Sequence, residues 1–118
     1  MRQDLLEETQ VINDKGMRMM GIARYSMEEL MFLGLGTAGE AGEIANVIKK
    51  MRRDGKSEDL FTKLKKEMAD VYIYLSHMAE SLGTTEDECV ELKLTELKER
   101  WPWVWDDSLP QDVGMIHG

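Results

Sequence analysis

The chain has 118 residues, enough for one domain with a modest core and small enough for self-association to help it. Its 23 Asp and Glu against 15 Lys and Arg give a net charge of -8, which opposes binding to nucleic acid polymers or to an anionic membrane surface. One cysteine, Cys89, excludes an internal disulfide framework and the Cys-x-x-Cys type of zinc site, so a reducing cytoplasm fits; the acidic start MRQDLLEET and the lack of a long apolar run argue against a signal peptide or a membrane span.

Prolines occur only at Pro102 and Pro110, so most of the chain is free to be helical. A first helix is expected over about residues 3–14, with Leu5, Leu6, Thr9 and Ile12 on one face and NDKGM as its breaker. The stretch from Met17 to Tyr25 is ambiguous. Ser26 followed by Glu29 forms a capping box that opens a second helix, running to about Met51 or Arg52 before the turn RRDGKS. Ser57 is the expected cap of a third helix. There Leu60, Leu64, Met68, Val71, Leu75, Met78 and Leu82 alternate steps of four and three, the pattern of a helix packed along a bundle seam. Gly83 suits its termination. Thr85 with Glu88 opens a fourth helix carrying Val90, Leu94, Leu97 and Trp101 until Pro102 stops it, and residues 106–118 read as a tail. No run of β-branched residues with alternating polarity appears, so the expectation is one all-α domain over residues 1–118, a four- to five-helix bundle assembled as a homodimer or homotetramer.

Two of these helices carry acid pairs in the same phase. Glu40 and Glu43 lie in GEAGEIANVIKKM, Glu67 and Asp70 in KEMADVYIYLSHM, and a shift of 27 positions superposes them along with Ile44 on Val71 and Ile48 on Leu75. At about 100° per residue the first acid of each pair falls about 40–50° from the centre of its apolar stripe and the second on its flank. Solvating acids point away from a core, and carboxylates gathered in one seam repel by about 4 kcal/mol per pair at 4 Å and an effective dielectric near 20. A divalent cation relieves that repulsion. Oxygen-only ligands select hard ions, and no Glu-x-x-His of the di-iron kind accompanies them, so magnesium or manganese is favoured over zinc or iron. The competing reading is that these are surface acids paired with Lys50, Lys63 or Lys66. GLGTAG, with Gly34, Gly36 and Gly39, is formally a G-x-G-x-x-G, but no strand precedes it. Spaced by three, Gly36, Gly39 and Gly42 instead allow close approach of a neighbouring helix or a ligand.

The run LGLGTAGEAGEIANVIKK followed by KKEMADVYIYL resembles the MazG-like all-α nucleoside triphosphate pyrophosphohydrolases, over about residues 26–101. The resemblance implies a Mg²⁺-dependent hydrolase that cleaves between the α- and β-phosphates of a nucleoside triphosphate, giving monophosphate and pyrophosphate, in nucleotide-pool sanitation. It makes Glu40, Glu43, Glu67 and Asp70 the metal-binding and catalytic residues. Lys50, on the flank of Glu43, is a candidate phosphate contact or an ordinary exposed lysine, and Arg53 and Lys56 in the following turn are weaker candidates. The fourth helix, LKLTELKER, offers Lys93 but none of the asparagine that relatives often carry there. Trp101, in WPWVW, could stack on a base, anchor the fourth helix or fill a subunit interface. His77, two turns after Asp70, reads as a neighbour of the site or as an ordinary surface or interface residue. The alternative class of function is a non-catalytic interaction module whose acidic seam holds a structural cation or a basic partner helix.

Overall fold

The computed structural model describes residues 1–106; the expected tail lies outside the described residues. Four α-helices follow in order, α1 (Gln3–Met19), α2 (Met27–Asp54), α3 (Glu58–Leu82) and α4 (Glu86–Arg100), and a single 3-10 turn, Pro102–Trp105, closes the described chain. Among the described residues there is no strand, and no helix is long and apolar enough to cross a membrane. Met1–Glu86 forms one compact unit and Asp87–Gly118 a second.

The helix ends follow their local chemistry. Ser26 Oγ accepts from the Glu29 amide at 3.1 Å and Ser57 Oγ from the Leu60 amide at 3.2 Å. Gly83 ends α3 in the left-handed conformation (φ +71°), and the Thr84 amide reaches back to the Ala79 carbonyl at 2.9 Å. Gly55, at φ +89°, ends α2 two to three residues later than expected. The larger difference is in α1, which runs through Gly16 to Met19 instead of breaking near residue 14. A helical glycine costs only about 1 kcal/mol, and the last turn recovers more than that. Met17 is 1 % exposed in the core, and Arg18 is held by Asp14 at 3.2 Å.

The first unit is an antiparallel α2–α3 hairpin with α1 packed on α3. Its core is small: Met17, Ile22 and Leu33 are buried, with Tyr74 and Met78 packed against them, and Val47 is buried further along α2. Gly36 sets the approach of the two long helices. A Cβ there would stand 2.3 Å from Tyr74 Cε1, so only glycine admits the ring. Gly39 and Gly42 face open space, so of the three spaced glycines one has a packing role.

Glu29 does more than cap. It is 4 % exposed, and its carboxylate accepts from Arg18 Nη2 at 2.6 Å and from the Tyr25 amide at 3.2 Å, rather than from the Ser26 amide that a simple capping box would use. Burial alone would raise its pKa, but the Arg18, Tyr25 and Ser81 hydrogen bonds hold the carboxyl below its ordinary range. Arg18 also donates to the Ile22 carbonyl, and Asp14 pairs with Arg24 at 2.6 Å, so one charged network ties α1, the linking loop and the start of α2. Tyr25 completes that loop with φ +60°, a conformation rare for a side chain of its size. His77 is not a surface residue: it is 4 % exposed, and its Nε2 donates to the Thr9 carbonyl at 3.1 Å, pinning α3 to α1.

Gly36→Ala is expected to cost about 1–3 kcal/mol through overpacking against Tyr74, whereas Gly42→Ala gains up to about 1 kcal/mol from helix propensity; paired denaturant melts measure both. Burial holds the His77 pKa below its ordinary 6.5, the Thr9 bond and the Glu29 charge only partly offsetting it. The unfolded chain therefore binds the proton first, and stability falls as pH drops through about 6.5. His77→Gln keeps an N–H donor for Thr9, so its melting temperature should change less between pH 7.5 and 5.5 than that of the parent chain.

Candidate metal centre

Packing α2 against α3 in antiparallel register brings Glu40 level with Glu67 and Asp70. One carboxylate oxygen from each lies within 4.8 Å of the others. Glu40 and Glu67 are half-buried. Burial, and then the negative charges of Asp70 and Glu67, push the Glu40 carboxyl above its ordinary value. Among the described residues no lysine or arginine makes an ion pair with Glu40, Glu43, Glu67 or Asp70, so the surface-pair reading with Lys50, Lys63 or Lys66 finds no support. Three converging carboxylates with no basic partner and no histidine or thiolate among them form a donor set suited to a hard divalent cation such as Mg²⁺ or Mn²⁺.

Glu43 does not join the group. Three residues beyond Glu40, it is rotated about 60° away around α2, and it is exposed. Lys50 is half-buried on α2 and contributes, after the Arg53 bonds, to holding Asp54 below the usual carboxylate range. Arg53 is engaged by Asp54 through two parallel bonds of 2.8 Å. Lys93 and Trp101 belong to the second unit. There Lys93 pairs with Glu96 at 3.2 Å, and the Arg100 guanidinium lies 5.6 Å from the Trp101 ring centre, with Lys98 placed likewise over Trp105. All three tryptophans remain partly exposed.

Beside the acids lies a cavity of about 340 Å³ that sequence reasoning missed. Thr9, Ile12 and Asn13 of α1, Phe32 of α2, and Asp70, Ile73, Tyr74 and His77 of α3 line it. Asp70 therefore belongs both to the carboxylate group and to an otherwise mostly apolar wall. The only sequence signal for this cavity was the placement of Tyr74 one turn after Asp70. The α1 residues carry none, because their approach to α3 depends on the Arg18–Glu29 network and on His77.

The family model for the MazG nucleotide pyrophosphohydrolase domain matches residues 28–105. The chain is also 33 % identical, over 98 residues, to the Gene 37 protein of Mycobacterium phage L5, covering 79 % of this chain and 75 % of the phage protein. No solved structure matches significantly. The family match spans more than half of the chain, and the chain belongs to the MazG nucleotide pyrophosphohydrolase family.

If the three carboxylates bind a divalent cation, saturating Mg²⁺ or Mn²⁺ should raise the melting temperature above that in chelator. At a hundredfold excess over Kd the gain is about 2.7 kcal/mol, a shift of several degrees for a domain of this size. Asp70→Asn should abolish most of that shift; an unchanged shift would mean that the ion binds elsewhere.

Proposed function

From that family membership we propose that the chain is a Mg²⁺- or Mn²⁺-dependent nucleoside triphosphate pyrophosphohydrolase of the cytoplasm, cleaving the α–β linkage to give a monophosphate and pyrophosphate. The observation that carries this reading is the convergence of Glu40, Glu67 and Asp70 within 4.8 Å, in a chain of this family, beside a cavity of nucleoside size. These three residues would hold the cation, with Glu43 on the adjacent flank as the fourth acid of the signature. When bound, the ion supplies charge neutralisation for the triphosphate and acidifies the attacking water.

The remaining work falls to the chain's own side chains. The cavity seats the nucleoside, with Phe32 and Tyr74 as aromatic walls that exclude water and pack against a base, and Asn13 as a side chain offering both donor and acceptor. Because Asp70 borders both regions, a nucleoside in the cavity directs its phosphates toward the acids. Lys50 is the α2 cation assigned to phosphate. A water oxygen bonds to the attacked phosphorus, its proton passes to a carboxylate oxygen of the cluster, and the bridging P–O bond breaks so that pyrophosphate leaves.

Incubation with a panel of canonical and modified triphosphates and Mg²⁺, followed by product identification, tests the reading. Monophosphate plus pyrophosphate is the expected pair. Absence of turnover across the panel would favour the non-catalytic module instead, and diphosphate plus orthophosphate would place cleavage at the wrong linkage. Glu67→Ala should abolish hydrolysis, while its melting temperature in chelator should equal or exceed that of the parent, since a repelling charge has gone. A fully active Glu67→Ala chain would remove this residue from the site.

A further inference from the structure

Charge is unevenly spread along this chain. Eight of its 15 Lys and Arg fall between residues 49 and 66, with only Asp54, Glu58 and Asp59 among them, so the loop end of the α2–α3 hairpin is locally positive in a protein of net charge -8. Three of these cations line up with the cavity. Lys50 lies 18 residues beyond Phe32, about five full turns and so on the same line of α2, with Glu43 within about 20° of that line. On α3, Lys63 precedes Asp70 by seven residues and Lys66 precedes Ile73 by seven, which puts each within about 20° of a residue in the cavity wall.

The register of the hairpin gives their order along it. Gly36 stands against Tyr74, and Glu40 is level with Glu67 and Asp70, so the three lysines lie beyond the acids on the loop side while the cavity lies on the other. Lys63 and Lys66 are each one turn, about 6 Å along α3, from Glu67 and Asp70 respectively. This side of the hairpin therefore reads apolar, acidic, basic. The lysines are not neutralised by the acids next to them. Lys63–Glu67 and Lys66–Asp70 have the spacing of helix ion pairs, but the lysine comes first in each, which is the weaker orientation. Among the described residues none of Lys50, Lys63 and Lys66 forms an ion pair, and Lys63 and Lys66 are exposed.

We infer that Lys63 and Lys66, with Lys50 of α2, form the subsite for the two terminal phosphates of a nucleoside triphosphate, the pair that departs as pyrophosphate. This rests on the hydrolase reading above and adds to it the residues that receive the leaving group. A nucleoside seated between Phe32 and Tyr74 places its first phosphate at the acids, and the rest of the phosphate chain continues away from the cavity, toward the lysines. Three ammonium groups there match an anion whose charge grows as the bridging bond breaks. They also set a length requirement. A diphosphate carries one phosphate past the attacked phosphorus and reaches them less fully than a triphosphate. Lys65 has no such part: two residues from both Lys63 and Glu67, it lies about 200° around α3 from each, on the side opposite the seam.

Calorimetric titration of the full chain with inorganic pyrophosphate in Mg²⁺ reads this subsite without turnover. Lys63→Met and Lys66→Met should each weaken pyrophosphate binding by about tenfold or more. Lys65→Met removes the same charge from the same helix and should leave the affinity within about twofold, and Lys63→Arg should keep most of it. Substitutions of exposed lysines change stability little, so circular dichroism should show every variant folded. In hydrolysis, Lys63→Met should lose preference for a triphosphate over the corresponding diphosphate. Equal pyrophosphate binding by the parent, Lys63→Met and Lys66→Met would overturn the inference, and release of pyrophosphate by that same parent would leave the hydrolase reading standing. A parent that turns over no triphosphate yet binds pyrophosphate through these lysines would support the anion site and overturn the hydrolase reading instead.

Discussion

The close approach of α2 and α3 at Gly36 and Tyr74 is the contact on which the rest depends. It holds three carboxylates together, and burial first, then the charges of Asp70 and Glu67, raise the Glu40 carboxyl above its ordinary value. Helix packing therefore works against the charges it gathers, which is the condition that a divalent cation would relieve under the proposed function. The missing Cβ at residue 36 and the acids at 40, 67 and 70 form one device: the glycine admits the ring, the ring sets the helix separation, and the separation sets the distance between ligands.

A second network fixes where α1 lies. Arg18, Glu29, Asp14 and Arg24 join α1 to the start of α2 through the loop carrying Tyr25 in its uncommon conformation, and His77 completes the attachment from α3. Of these pairs only Arg18–Glu29 involves a buried carboxylate, and there desolvation offsets much of the attraction, so the pair does more to specify one arrangement than to add net stability. Here the arrangement specified is the cavity wall, to which Thr9, Ile12 and Asn13 of α1 contribute alongside Asp70 of α3. The carboxylate group is thus local to the hairpin, whereas its neighbouring cavity depends on the whole first unit.

One side of the hairpin carries α1 and the cavity, with the acids at the helix–helix seam, and the other is an uncharged surface. The carboxylates and the cavity are therefore separate from the exposed apolar side chains Ile48, Leu75 and Leu82. The methionines suit this, since Met17 and Met78 fill irregular space in the core while Met68 remains on the open face.

From the residues alone came the all-α class, the caps at Ser26 and Ser57, the stop at Gly83 and the phase of the acid pairs, because each depends on spacing within a few turns of chain. The family resemblance was legible for the same reason, being carried by two continuous runs. The extension of α1 to Met19 was not, because NDKGM is a local breaker outweighed by the burial of Met17 in a cluster with Ile22 and Leu33 and by the bond from Arg18 to the buried Glu29 of α2, contacts that exist only once the elements pack. Nor did sequence separate Glu43 from the three acids that converge, or distinguish Gly36 from Gly39 and Gly42. A position on a helix gives an azimuth about that helix's own axis; which azimuths meet depends on the offset and approach of a second helix, and those are decided only when the side chains pack.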